Sequence, residues 1–534
     1  MWSTEAAVLA AKVRALQAQL AQVSAKLDEI QERVRLHSQI VSPMRSMPAE
    51  ILQHIFRYTL PEFHNALLSP DEPPVLLTRV CRVWRAVSLD TPELWSSIHI
   101  VCTPFDKDMP QRARETVELR LRAVELWLAR SGTCLLDISI RAEGEVMDID
   151  FMPFSEGYRY SSTVLHALRV IIPHSRRWSQ LSIVATMGEL KELLPLRLDL
   201  PKLQSFVFRE FGRPVHPGTH GRFQPFFLSG TQKLHRISLI FPHSEQLRSL
   251  AMLPSRDIVE LRIHTQIADV TLLLLLHHTI RHCARLQRLH VRLDSRTGSI
   301  ALPSQSSPAA CLAALVTVEL RCYSEMAASI LSCISAPRLD HLALQMSYVR
   351  PPESRALREF LARSHAPLTK LRVKTDSAYF VNDCLPYMPG LEDLAILRHD
   401  GARSSMWGQQ QQQGFVSVLH HHWPLVCPLL RSIELVRCVG VDDEWLSRFL
   451  GARADREPPQ GPCALRSVKV HFLEPQPGLR ELTETIPFTY TVGGIEVHVR
   501  WDEWRPLQSY SPGLGATEDE IVNVCEEEDR TRRV

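Results

Sequence analysis

The chain has 534 residues, a length that suggests several domains or one long array of repeats. Apolar residues make up 45% and charged residues 22% of the chain, as in an ordinary globular protein, and the net charge is +2. This balance gives no reason to expect nucleic acid or an acidic membrane surface as a partner. The longest apolar runs fall far short of the ~20 residues that span a bilayer, and the N-terminus lacks a signal-peptide core.

Twelve cysteines are scattered along the chain without a Cys-x-x-Cys pair. This pattern is typical of reduced thiols inside the cell rather than of a disulfide framework or a zinc site. We therefore expect a cytoplasmic or nuclear protein with no metal, no cofactor and no catalytic residues. The residues that most resemble a site are the acids Asp148 and Asp150 and the histidines at 420–422. Loop carboxylates are usually solvated, however, and consecutive histidines do not share one face.

The first element in chain order is a long helix with a regular apolar seam. The seam residues are spaced alternately by four and by three, with one polar member: Leu9, Val13, Leu16, Leu20, Val23, Leu27, Ile30, Val34, His37 and Val41. This seam predicts a coiled-coil helix from about Thr4 to Ile40, within a first domain over residues 1–42. Two uses remain open, which are self-association through residues 4–41 and packing of the helix against its own chain.

A short, strongly apolar helical segment follows over residues 43–97. Pro48 is expected at the first position of a helix, where the missing N–H costs nothing. Four apolar residues then recur at helical spacing, namely Ile51, Leu52, Ile55 and Phe56. A second apolar helix and a closing Leu94-Trp95 pair come after a polar loop. A segment of about 50 residues is too small to bury this much apolar surface alone, so it needs a partner.

Four short motifs in this segment stand in the order found in the F-box family, which the segment therefore resembles. They are Met47-Pro48-Ala49-Glu50-Ile51-Leu52, Ile55-Phe56, Val80-Cys81-Arg82-Val83-Trp84 and Leu94-Trp95. Met47 replaces the usual leucine, and the loop over 60–74 is longer than in the compact motif; both are mild changes. The alternative is a pair of core helices that carry tryptophan.

The resemblance implies that the segment docks onto the Skp-type adaptor of a cullin-based ubiquitin ligase. It implies an adaptor-binding set made of Pro48, Ile51, Leu52, Ile55, Phe56, Val80, Trp84 and Leu94. Cys81 and Trp95 are expected to brace the core of the F-box instead. The layout of a coiled helix, an F-box and a long repeat region also resembles the large F-box families of mushroom-forming fungi.

After a connecting helix over residues 98–133, a strand-like pattern of apolar-x-x-apolar-x-apolar repeats through residues 134–473. Its starts are mostly about 23–31 residues apart, near the period of leucine-rich repeats. The triplets are Leu135/Ile138/Ile140, Trp178/Leu181/Ile183, Leu203/Phe206/Phe208, Leu234/Ile237/Leu239, Ile258/Leu261/Ile263, Leu286/Leu289/Val291, Leu315/Val318/Leu320, Leu339/Leu342/Leu344, Leu368/Leu371/Val373, Leu391/Leu394/Ile396, Leu430/Ile433/Leu435 and Leu465/Val468/Val470.

Helix-like stretches lie between these strands, so the predicted fold class is α/β, with an irregular leucine-rich-repeat solenoid of parallel strands and helices. A doubly wound α/β domain is the alternative, but the chain has no Gly-rich nucleotide loop. A terminal hairpin or cap is expected over 474–505 and a disordered charged tail over 506–534.

The predicted function is substrate recognition within a Skp-cullin-F-box ligase, with an unknown target protein held on the strand-lined surface. The alternative is a non-catalytic scaffold that self-associates through its coiled coil.

Overall fold

The structure is a computed structural model. It describes residues 2–41, 47–105, 110–142, 161–190, 193, 196–210, 228, 231–243, 256–268, 270–296, 309–347, 351–374, 384–397, 427–438, 441–454, 465–472 and 488–501. The chain divides into two compact units, residues 1–61 with 69–95, and residues 62–68 with 96–534. The loop acids Asp148 and Asp150, the histidines at 420–422 and the charged tail at 506–534 lie outside the described residues.

The first unit is helical. Its elements are α1 (Trp2–Val41), α2 (Ala49–Tyr58), α3 (Leu77–Val80), α4 (Arg82–Leu89) and a 3-10 turn (Pro92–Trp95). The helix predicted from Thr4 to Ile40 is confirmed by α1.

The apolar seam of α1 is exposed wherever its side chains are described. Exposure ranges from 53% at Leu27 to 69% at Leu20. The six described seam residues are Leu16, Leu20, Val23, Leu27, Ile30 and Val34. Each is more than half exposed, so the described residues provide no cover for this seam. Self-association through it stays a prediction.

The second unit is built on one sheet of fifteen strands, and the first thirteen lie in chain order. These are β1 (Ser97–Cys102), β2 (Leu136–Ala142), β3 (Trp178–Ala185), β4 (Ser205–Glu210), β5 (Arg236–His243), β6 (Glu260–Ala268), β7 (Arg288–Arg296), β8 (Thr317–Tyr323), β9 (His341–Ser347), β10 (Lys370–Lys374), β11 (Asp393–Leu397), β12 (Ser432–Val436), β13 (Ser467–Phe472), β14 (Phe488–Val492) and β15 (Ile495–Trp501). Neighbours are parallel except for β14 and β15. The predicted α/β class, with a long and mostly parallel sheet, is confirmed.

The core of this unit is the apolar side of the sheet. Eleven of the twelve predicted triplets are buried at all three positions. The exception is Leu135, which is 45% exposed, whereas Leu136 is fully buried and pairs with Trp178. The buried residues of β2 are the even-numbered ones from Leu136 onward, and the pairing shifts register just after Leu136, where Ser179 of β3 is skipped. The spacing of the triplet therefore misplaces its first member by one residue.

The sheet begins before residue 134, where the sequence analysis placed the start of the repeats. Ile98 and Ile100 of β1 are 0% and 4% exposed, and β1 pairs in parallel with β2. Together with Trp95 they repeat the apolar spacing of the later strands, but the sequence analysis assigned Trp95 to the end of the F-box and residues from 98 onward to a connecting helix. Residues 98–133 thus contain most of a strand as well as the helix α5 (Gln111–Arg130).

Helices connect several of the strands. They are α6 (Val164–Ile171), α7 (Met187–Leu190), α8 (Val270–His282), α9 (Ser324–Ser332), α10 (Pro351–Ser364) and α11 (Asp443–Ala454). Arg363 of α10 donates to the carbonyl oxygens of Leu331 at 2.9 Å and Ile334 at 2.8 Å. These oxygens lie in and just beyond the last turn of α9, where carbonyl groups lack helical partners. The side chain therefore ties two successive helices together.

The last two strands form a hairpin about Gly493 and Gly494, as the sequence predicts. Both glycines have positive φ, 55° and 82°, the backbone that a two-residue hairpin turn requires. Because β15 pairs with β13, β14 lies at the edge of the sheet.

Candidate partner-binding surface

Helix α2 begins immediately after Pro48. Pro48 has φ −57° and ψ 146°, and its carbonyl oxygen accepts from the N–H groups of Ile51 and Leu52, each at 3.1 Å. The sequence analysis expected Pro48 at the first position of the helix. The structure places it one residue earlier, at the position before the helix. Its fixed φ still suits this place, because the residue before a helix has an extended backbone.

One side of α2 forms the core of the first unit. Leu52 and Phe56 are fully buried, and Phe56 lies against Trp84 with ring centroids 4.8 Å apart. Leu94 is also fully buried, and Trp95 is 1% exposed. These side chains hold α2, α4 and the closing turn together.

Hydrogen bonds fix the turn and the start of α4. The indole N–H of Trp95 donates to the carbonyl oxygen of Ser88 at 2.8 Å, which satisfies its polar group inside the core. Cys81 has an extended backbone and its sulfur accepts from the N–H of Trp84 at 3.4 Å, so it caps α4. Cys81 is exposed. Trp95 thus fills the bracing role expected of it, whereas Cys81 caps a helix instead.

The remaining apolar side chains of these helices face outward. Ile51 is 50% exposed and Val80 54%; Pro48 is exposed, and Ile55 and Trp84 are half-buried. Five of the eight predicted adaptor-binding residues therefore lie at the surface, and Leu52, Phe56 and Leu94 lie in the core beneath them.

Two exposed apolar residues were missed by the sequence reasoning. Leu76 is 39% exposed and Val83 56%. Together with Val80 they follow one another at intervals of four and three residues, a spacing that could have identified them. We call Pro48, Ile51, Ile55, Leu76, Val80, Val83 and Trp84 the exposed apolar set.

A partly exposed ion pair joins α2 to the 3-10 turn. Arg57 of α2 donates to Glu93 of the 3-10 turn at 3.1 Å, and both side chains are about half exposed. Such a pair contributes only about 0–1 kcal/mol in water. This pair therefore adds little to the stability of the unit.

A comparison with known families finds a match over part of this unit. Residues 44–101 match the F-box-like family. The match covers α2, α3, α4 and the turn, and extends through Val101 of β1. A search of curated proteins found no match for the chain. The chain thus contains an F-box-like region followed by a long parallel sheet, and leucine-rich repeats stay a prediction.

No group of histidine, cysteine and acidic residues within the described ranges could hold a metal ion. The described cysteines form no disulfide. Burial raises the pKa of the Cys102, Cys283 and Cys322 thiols to about 12, which keeps them protonated and unreactive.

Among the residues that the structure describes, no helix is long and apolar enough to cross a membrane.

Proposed function

We propose that this chain is the substrate-recognition subunit of a Skp-cullin-F-box ubiquitin ligase. The observation that carries the proposal is the F-box-like match at residues 44–101, in a region whose helices expose apolar side chains. Exposed apolar side chains that gather in one small region mark protein interaction sites. The proposed partner of this region is the Skp-type adaptor, which links it to the cullin.

The predicted adaptor-binding residues divide into two roles. Pro48, Ile51, Ile55, Val80 and Trp84 would contact the adaptor, since their side chains reach the surface. Leu52, Phe56 and Leu94 would act from the core by holding the helices in place. Interface energy is usually concentrated in a few side chains, among which tryptophan is enriched, so Trp84 is favoured as a main contributor. Ile51 and Val80 would add the apolar surface that they expose.

The sheet of the second unit would hold the target protein. The chain would then act by position alone, bringing a target close to a ubiquitin-charged enzyme and raising its effective concentration. The length of the sheet supports this role, because stacked strands offer an extended binding surface.

Co-purification with the adaptor tests the proposal. The full chain carrying Ile51→Asp should lose the adaptor, because a charge would be buried without a partner. The matched control is Leu119→Asp on α5, a residue that is 64% exposed and lies outside the F-box-like match. An Ile51→Asp chain that still co-purifies as well as the control would refute the proposal.

A second candidate function is a scaffold that self-associates through α1. The exposed seam favours it, since six apolar side chains stand more than half exposed along one helix. Removal of residues 1–42 should convert an oligomer to a monomer in size-exclusion chromatography with light scattering, and should leave adaptor binding intact. An unchanged number of subunits per particle after the deletion would exclude this candidate.

A further inference from the structure

The sheet has a basic region on its polar face, over strands β5–β10. In each of these strands the buried apolar residues alternate with residues whose side chains point to the opposite face. Among the side chains that the structure describes, eight on that face are lysine or arginine: Arg236, Arg262, Arg288, Arg292, Arg321, Lys370, Arg372 and Lys374. The acidic residues among them are Glu260, Asp294 and Glu319. Eight positive groups against three negative groups leave this region, which we call the basic strand face, with an excess of five positive charges.

Glu260 lies beneath three arginines of the basic strand face and holds them in place. Glu260 is only 2% exposed and accepts from Arg262 at 2.7 Å, Arg288 at 2.9 Å and Arg236 at 3.1 Å. Burial alone would raise the pKa of Glu260, but the three guanidinium groups lower it below its usual value. One carboxylate therefore anchors three arginines, whose side chains remain 36–45% exposed.

A second cluster repeats this arrangement two strands further along. Glu319 accepts from Arg321 of its own strand at 2.7 Å and contacts His290 of the neighbouring strand at 2.9 Å. The hydrogen bond from His290, opposed by burial and aided by Arg321, lowers the pKa of Glu319 to about 2. Arg292 and His264 hold Asp294 in the same way, at 2.8 and 2.9 Å.

The basic excess is local to the middle of the sheet. On the same face of β1–β4, the charged residues at the equivalent positions are Asp137, Arg141 and Arg209. Strand β10 lies at the other extreme, because Lys370, Arg372 and Lys374 occupy all three of its outward positions. Asp393 of the neighbouring β11 lies 3.9 Å from Lys370, so the basic strand face ends at this pair. Whole-chain composition conceals this region, since the overall net charge is only +2.

We propose that the basic strand face binds an extended, acidic segment of a target protein. This inference rests on the proposed function, because it names the chemical class of the target that the sheet would hold. Neighbouring strands lie about 4.8 Å apart, and alternate residues along an extended chain about 6.8 Å apart. Outward residues along a strand have the same spacing of about 6.8 Å, so an extended segment that runs along β10 can bring its alternate carboxylates to Lys370, Arg372 and Lys374. Arginines already held by a carboxylate, as Arg236, Arg262 and Arg288 are by Glu260, lose little freedom when they bind an anion.

Fluorescence anisotropy of the full chain with a fluorescein-labelled oligoglutamate peptide tests the inference. We expect binding that weakens as salt is raised, and no binding of an oligolysine peptide of equal length. Lys370→Ala combined with Arg372→Ala should weaken oligoglutamate binding about fivefold to tenfold. The matched control is Lys469→Ala combined with Arg466→Ala, which removes one exposed lysine and one exposed arginine at β13.

Three outcomes would overturn the inference. They are absence of oligoglutamate binding, equal weakening in the two double variants, and tenfold tighter binding of a single-stranded oligonucleotide or a phosphoserine peptide than of oligoglutamate. Thermal unfolding of both variants checks that they remain folded. Adaptor co-purification is measured on the same preparations. Peptide binding without adaptor binding would refute the proposed function alone, and adaptor binding without peptide binding would refute the inference alone.

Discussion

The exposed apolar set of the F-box-like region and the basic strand face of the sheet offer opposite chemistry to a partner. The first presents side chains such as Ile51 and Val80, whose burial is favourable at any salt concentration. The second presents arginines such as Arg236 and Arg288, whose attraction for an anion is screened by salt. An apolar surface suits one constant partner, whereas a charged surface steers and selects among partners. The difference fits a chain that keeps one adaptor and recognises a separate target.

The largest effect should come from charging the core beneath the exposed apolar set. Leu52 is fully buried, so Leu52→Asp places a carboxylate among Phe56 and its neighbours without a partner. We expect a loss of about 4 kcal/mol or more, enough to unfold the region. Limited proteolysis should then cut between residues 47 and 95, while the sheet stays resistant. A protected region with normal adaptor binding would contradict the assignment of Leu52 to the core.

A charge placed on the exposed apolar set should weaken adaptor binding without unfolding the region. Ile51 is half exposed, so Ile51→Asp should leave the region folded but weaken the adaptor about 30-fold to 100-fold, or about 2–3 kcal/mol. Isothermal titration with purified adaptor gives this number. The dissociation constant of the adaptor should change little with salt, whereas the dissociation constant of an acidic peptide at the basic strand face should rise. Strong salt dependence of adaptor binding would show that the two surfaces do not differ as described.

The sequence predicts the structure best in the parallel sheet, where each strand buries apolar residues at equivalent positions. The apolar triplets located twelve strands, eleven of them with all three positions buried, because a parallel sheet buries the same positions in each repeat. The strand at Ile98 was missed because Trp95, the first residue of its apolar triplet, also closes the F-box motif, and the residues from 98 onward were assigned to a connecting helix. Helical spacing grouped Leu52 with Ile51, yet it could not tell which of two adjacent stripes faces the core.

The basic strand face could not be read from the sequence. Arg236, Glu260 and Arg288 are more than twenty residues apart along the chain, and they meet only through the parallel register of β5, β6 and β7. The polar residues between the leucines appear mixed when they are read in chain order. Their clustering becomes visible only when the strands are placed side by side.

Acid should weaken the sheet through Glu319. Its pKa is lowered to about 2 from an ordinary 4.5, so its stabilising effect is complete above pH 4.5 and is lost as the pH falls towards 2. We expect Glu319→Gln to destabilise the chain by about 1–3 kcal/mol near pH 7, with a smaller difference from wild type near pH 3. Thermal unfolding at both pH values measures this. A difference that grows on acidification would have the wrong sign.

The smallest effect should come from the ion pair at the rim of the F-box-like region. Arg57 and Glu93 contact at 3.1 Å, but both side chains are about half exposed, so water and salt weaken their attraction. Arg57→Ala should change stability by less than about 1 kcal/mol and leave adaptor affinity within about twofold of wild type. The same titration used for Ile51→Asp provides the measurement. A loss comparable to that of Ile51→Asp would mean that charge, rather than apolar burial, governs docking there, and the contrast between the two surfaces would disappear.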